Sequence, residues 1–103
     1  MQLPADYPLK IIPVNFGVKF NPPKLGLEFT NVGQPHIQHI HEISLQGYIE
    51  RQVDVDQIVD SLFAENKQYL HPRVIAKVQV KRLVERVIAR NAKHKENTQQ
   101  RNP

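Results

Sequence analysis

The chain reads as an α+β protein, with a small sheet of two or three strands followed by two amphipathic helices. An extended N-terminal arm and a basic C-terminal tail flank this core. Three observations lead to this reading. Apolar residues alternate over 18–29 and again over 37–45, the period changes to that of a helix after Gly47, and prolines crowd the N-terminal end while basic residues crowd the other. With 103 residues, 40% of them apolar, there is room for one modest core, small enough to gain from a partner. The expected division is an arm at 1–16, a domain at 17–92 and a tail at 93–103.

The arm holds Pro4, Pro8 and Pro13 among Leu3, Tyr7, Leu9, Ile11 and Ile12. Prolines at that density forbid a helix and favour extended chain. Two readings stand: a disordered terminus, or an arm lying in a groove of another protein. Tyr7, Ile11, Ile12 and Phe16 are too apolar for a pure solvent tail, so Tyr7, Ile11 and Phe16 are candidate partner contacts.

The stretch GVKFNPPKLGLEF then places Val18 and Phe20 on one face of a first strand and Leu25, Leu27 and Phe29 on one face of a second. Between them Pro22 and Pro23 form a stiff turn, because proline lacks a backbone donor and restricts the residue before it. The turn marks where arm gives way to domain, and both prolines join the candidate contacts. NVGQP supplies a second turn. HIQHIHEISL continues the alternation, with Ile37, His39, His41, Ile43 and Leu45 on one face. An antiparallel sheet with one wet face follows.

In DVDQIVDSLFAEN, Val55, Ile58, Val59, Leu62 and Phe63 make a helical stripe, with Asp54 as N-cap and Gln57 three residues on. A second helix is expected from near Pro72 to about Ala92, its stripe formed by Ala76, Val80, Leu83, Val84, Val87 and Ile88. On its polar side Arg82, Arg86 and Arg90 follow one another at four-residue steps. The last segment, KHKENTQQRNP, has no apolar residue apart from proline and reads as disordered in isolation.

Several chemistries are set aside by composition. Without cysteine there is neither a disulfide nor a thiolate metal site. Apolar runs fall far short of the roughly 20 residues that span a bilayer. The N-terminus lacks the parts of a signal peptide, so a soluble cytoplasmic protein is expected. His39 and His41 share a strand face, but a metal would need further ligands, and a sheet position or a pH-sensitive contact is the simpler reading. Ser44, Ser61, Thr30 and Thr98 carry no nucleophile signature, and the four glycines form no phosphate-cradling loop. We therefore expect no enzyme activity, no cofactor, no metal and no small-molecule substrate.

Charge is the stronger lead. Residues 1–72 carry five Lys/Arg against eight acids, net −3; residues 73–103 carry nine against Glu85 and Glu96, net +7. The basic end can be a solvated face, can meet an acidic protein surface, or can bind nucleic acid. Arg82, Arg86, Arg90, Lys93 and Lys95 are the candidate residues in either binding case. Nucleic acid is the weaker one, since no aromatic residue follows Tyr69 to stack on bases.

The segment Gly17, Val18, Lys19, Phe20, Asn21, Pro22, Pro23, followed by Leu25, Leu27, Glu28 and Phe29, resembles the N-terminus of the centrosomal protein 19 family. Looser likenesses follow in SLFAEN, in Tyr69-Leu70, and in Gln79, Val80, Leu83 and Val84. This resemblance implies a non-enzymatic protein of centrioles, basal bodies and cilia, resident in the cytoplasmic cytoskeleton. Members act as adaptors, recruited by centrosomal scaffolds and engaging a Rab-like small GTPase to promote entry into intraflagellar transport. This chain lacks the charged C-terminal extension of that family, so contacts of that extension are not carried over. A second version is a structural component of the axoneme, seated on microtubules, where tubulin's acidic surface would suit the basic end. The alternative is a small nucleic-acid-binding or ribonucleoprotein-assembly subunit that uses the same helix.

Overall fold

In the computed structural model, which describes the backbone of residues 3–100 and the side chains of residues 3–92, the first half of the chain is an antiparallel meander. Strands β1 (Ile11–Phe20), β2 (Pro23–Asn31) and β3 (Gln34–Ser44) pair in the order β1-β2-β3. Helices α1 (Gln46–Glu50), α2 (Val55–Glu65) and α3 (Lys77–Gln100) follow. The α+β class expected from the sequence is the one observed.

The double proline works as a hairpin turn. Phe20 pairs with Pro23, leaving Asn21 and Pro22 as the two turn residues, joined by a cis peptide bond. Pro23 opens β2, where its missing donor costs least, and its carbonyl accepts from the Leu45 N–H at 2.9 Å. The second turn rests on Val32 and Gly33, and Gly33 sits at φ 88°, where a side chain would be strained. Beyond it β3 runs irregularly. Thr30 pairs with Gln38 but Asn31 pairs with Gln34, so residues 35–37 are extra. Ile37 lies in that excess and is exposed, which removes it from the inward row of His39, His41 and Ile43.

The arm boundary needs correction. β1 begins at Ile11, not at Gly17, and both Leu9 and Ile11 are buried. Pro13 does not prevent this because β1 is an edge strand, where a missing donor is tolerated. A bulge explains how the strand keeps its apolar residues inward. The register shifts between Pro13 and Asn15, so Val14 is an extra residue and the alternation inverts there. Ile11 thus faces the same side as Phe16, Val18 and Phe20.

The core lies between the inner sheet face and α2 and α3. Leu25 meets Ile58, Val59, Leu62 and Phe63 of α2 and Val80, Val84 and Val87 of α3 in one cluster, and Leu27 and Phe29 pack with Leu9 and Ile11 in a second. Tyr69, Val74 and Phe16 touch both clusters and join them.

The expected Asp54 cap is present: its carboxylate accepts from the Asp56 N–H at 3.1 Å. Asp54→Ala should destabilise the fold by about 1 kcal/mol. A urea midpoint unchanged by that substitution would mean the cap contributes nothing. The second long helix starts at Lys77, five residues after Pro72, because the His71 carbonyl draws the N–H groups of Val74 and Ile75 into a separate turn. It then continues through Gln100, so residues 93–100, expected as disordered tail, are helical. The short α1 was not expected.

Candidate protein-docking surfaces

Two surfaces of the domain stand out: the basic side of α3 and a cleft at one end of the sheet. On the part of α3 whose side chains are described, the cations are sorted by residue type. Lys77 Nζ lies 3.1 Å from Asp60 and Lys81 Nζ 2.9 Å from Asp56, so two lysines one turn apart match two aspartates one turn apart on α2. The hydrogen bond from Lys81 to Asp56 raises the lysine's pKa, and the Coulombic attraction adds to it. Lys77 also stands 5.5 Å from the centre of the Phe63 ring. Exposed pairs of this kind contribute only about 0.2–1 kcal/mol each, so they set local charge more than they hold the fold.

Arg82, Arg86 and Arg90 point away from α2 and are exposed. Among the described residues no carboxylate lies within 4 Å of any of them. Arg90 rests its guanidinium 5.1 Å over the Phe20 ring, and the next residue, Asn91, donates to the Phe20 carbonyl at 3.4 Å. The helix therefore presents a row of three arginines about 12 Å long, fixed at one end against the β1–β2 hairpin. The side chains of Lys93 and Lys95, expected to extend the row, lie outside the described residues.

The arm residues tell a different story. Ile11 is buried, Phe16 packs on both core clusters, and Tyr7 is half-buried with its hydroxyl donating to the Ile11 carbonyl at 2.8 Å. Burial raises the Tyr7 pKa. Pro23 is buried as well, and only Pro22 of the pair is exposed. These residues build the domain's own core, which corrects the expectation that Tyr7, Ile11 and Phe16 are offered to a partner. Asp6 is held to the domain by Arg73 at 2.6 Å, and that hydrogen bond lowers the Asp6 pKa.

The cleft, of about 550 Å³, opens between residues 8–11 and the 67–69 turn. Leu9, Ile11, Phe29 and Tyr69 form its apolar floor, and Lys10, Lys67, Gln68, Asn31 and His39 its polar rim. The floor is organised by ring packing. Phe29 stacks on His39 at 5.3 Å and meets Tyr69 edge-on at 5.4 Å, while Tyr69 stacks on His41 at 3.8 Å. His39 Nε2 lies 3.4 Å from Asn31 Nδ2, and His41 Nε2 lies 3.2 Å from Asn66 Oδ1. The two histidines that share a strand face are thus wall and support for this cleft, and His36 stands apart, exposed. Among the described residues no three His, Asp or Glu side chains gather as metal ligands. No described helix is long and apolar enough to cross a membrane.

Sequence reasoning missed the cleft. Its residues come from four separated segments, and the only hint was the row of His39 and His41. Comparison with known protein families, with curated proteins and with solved structures finds no match for this chain.

Proposed function

We propose that this chain is a non-enzymatic adaptor or structural protein of the cilium, axoneme or basal body, acting by protein–protein binding within a microtubule-associated assembly. The observation that carries the binding part is the sorting of charge on α3. Lys77 and Lys81 are matched by Asp60 and Asp56 of α2, while Arg82, Arg86 and Arg90 stand exposed with no carboxylate among the described residues beside them. Guanidinium groups suit carboxylates because their planar fork donates two parallel hydrogen bonds. An acidic protein surface such as tubulin's is the fitting partner for such a row. The ciliary setting rests on the resemblance of residues 17–29 to the centrosomal protein 19 family, which also suggests centrosomal scaffolds and a Rab-like small GTPase as partners.

Co-sedimentation with microtubules tests this reading. The chain should pellet with them, and the triple variant Arg82→Glu, Arg86→Glu, Arg90→Glu should bind at least about tenfold more weakly with an unchanged circular dichroism spectrum. Equal binding by the variant would make the row a solvated face. Pulldown from extract adds a second arm: loss of every partner on nuclease treatment would replace the adaptor reading with the nucleic-acid one.

A further inference from the structure

We propose that the cleft between residues 8–11 and 67–69 binds an acidic peptide segment that carries one aromatic or aliphatic side chain. This site is separate from the arginine row of α3 and is argued on different residues.

The floor sets the first requirement. Leu9, Ile11, Phe29 and Tyr69 offer apolar surface at the bottom of a volume of about 550 Å³, ample for one large side chain and the backbone around it. The rings of Phe29, His39, Tyr69 and His41 pack on one another in a chain. That arrangement makes a firm surface for a side chain to rest on rather than a free-standing platform between which a nucleobase is held.

The rim sets the second requirement. Lys10 and Lys67 both line the cleft, contributed by segments far apart in sequence, and Gln68 and Asn31 add amide groups. Among the described residues no Asp or Glu lines it. Asp6, the nearest acid in the arm, is occupied by Arg73 outside it. A ligand entering this space meets apolar surface and two cationic side chains, so carboxylates beside an apolar group suit it. In an acidic peptide the two lysines would meet acids on either side of the buried side chain.

The test is a titration of the uniformly ¹⁵N-labelled full chain with the acetylated, amidated peptide Glu-Glu-Phe-Glu-Glu, followed by amide chemical shifts, which report weak binding. We expect saturable shifts concentrated at Lys10, Ile11, Asn31, Lys67, Gln68 and Tyr69. Lys10→Glu combined with Lys67→Glu, both at exposed positions, should weaken binding about tenfold while the rest of the spectrum stays in place. The triple arginine variant of α3 should bind this peptide as the wild type does, so failure of the adaptor reading and failure of this one are told apart. Absence of saturable shifts overturns the proposal. So do shifts confined to α3 and lost in the arginine variant, or equal binding of Lys-Lys-Phe-Lys-Lys or of Glu-Glu-Ser-Glu-Glu.

Discussion

Ile11→Ala is expected to destabilise the protein by about 2–5 kcal/mol. Ile11 is buried with Leu9, Leu27 and Phe29, so its truncation loosens the attachment of the arm as well as the packing of β2. Deleting Val14, which is 51% exposed, should cost less. The deletion takes out the extra residue of the bulge and leaves Pro13 opposite Phe29 and Ile11 opposite Asn31, so the inward row persists. Urea unfolding of both variants decides it. A deletion variant less stable than Ile11→Ala would show that the bulge itself, and not the burial of Ile11, holds the arm.

Leu62→Ala should destabilise by about 3 kcal/mol. Leu62 is fully buried in the middle of α2, within the cluster that includes Leu25, Leu45, Val80 and Val84. Truncation removes the transfer energy of the side chain and leaves a cavity that rigid neighbours fill only in part. Against a total stability of about 5–15 kcal/mol, this is a large fraction for a chain of this size. Ile40→Ala is the matched control, since Ile40 is 69% exposed on the outer sheet face. A urea midpoint that falls equally for the two would mean that the core is not where the helices meet the sheet.

Much of this architecture is legible in local pattern. The alternation of Leu25, Leu27 and Phe29, the helical stripe of Ile58, Val59, Leu62 and Phe63, and the Asp54 cap each depend on residues a few positions apart. The turn at Asn21 and Pro22 is legible for the same reason. What escaped depends on relations that local pattern does not carry. Pro13 reads as part of a proline-rich extended arm until β1 is known to be an edge strand that admits it. The extra residue at Val14 disguises Ile11 and Phe16 as opposite faces when they share one. Pro72 reads as a helix start, yet the His71 carbonyl closes a separate turn there. The arginine row was visible as four-residue spacing on one helix, but that α2 pairs with Lys77 and Lys81 and not with the row follows from helix packing. The cleft gathers residues from four segments, and no single window of sequence contains it.

Asn91 reaches back to Phe20 across 71 positions of sequence, so the fold is closed by the last element of the chain to be made. The two hairpins use neighbouring segments and can form as soon as residues 11–44 are available. Their inner face, where Leu25 lies, lacks its full cover until Val80, Val84 and Val87 arrive. A chain made from the N-terminus therefore carries an incompletely covered apolar sheet from the end of β3 until α3 is made. The helix that bears the arginine row is also the one that closes the core. The row is set against the β1–β2 hairpin only once the molecule is folded, so the surface read as a docking site becomes available last.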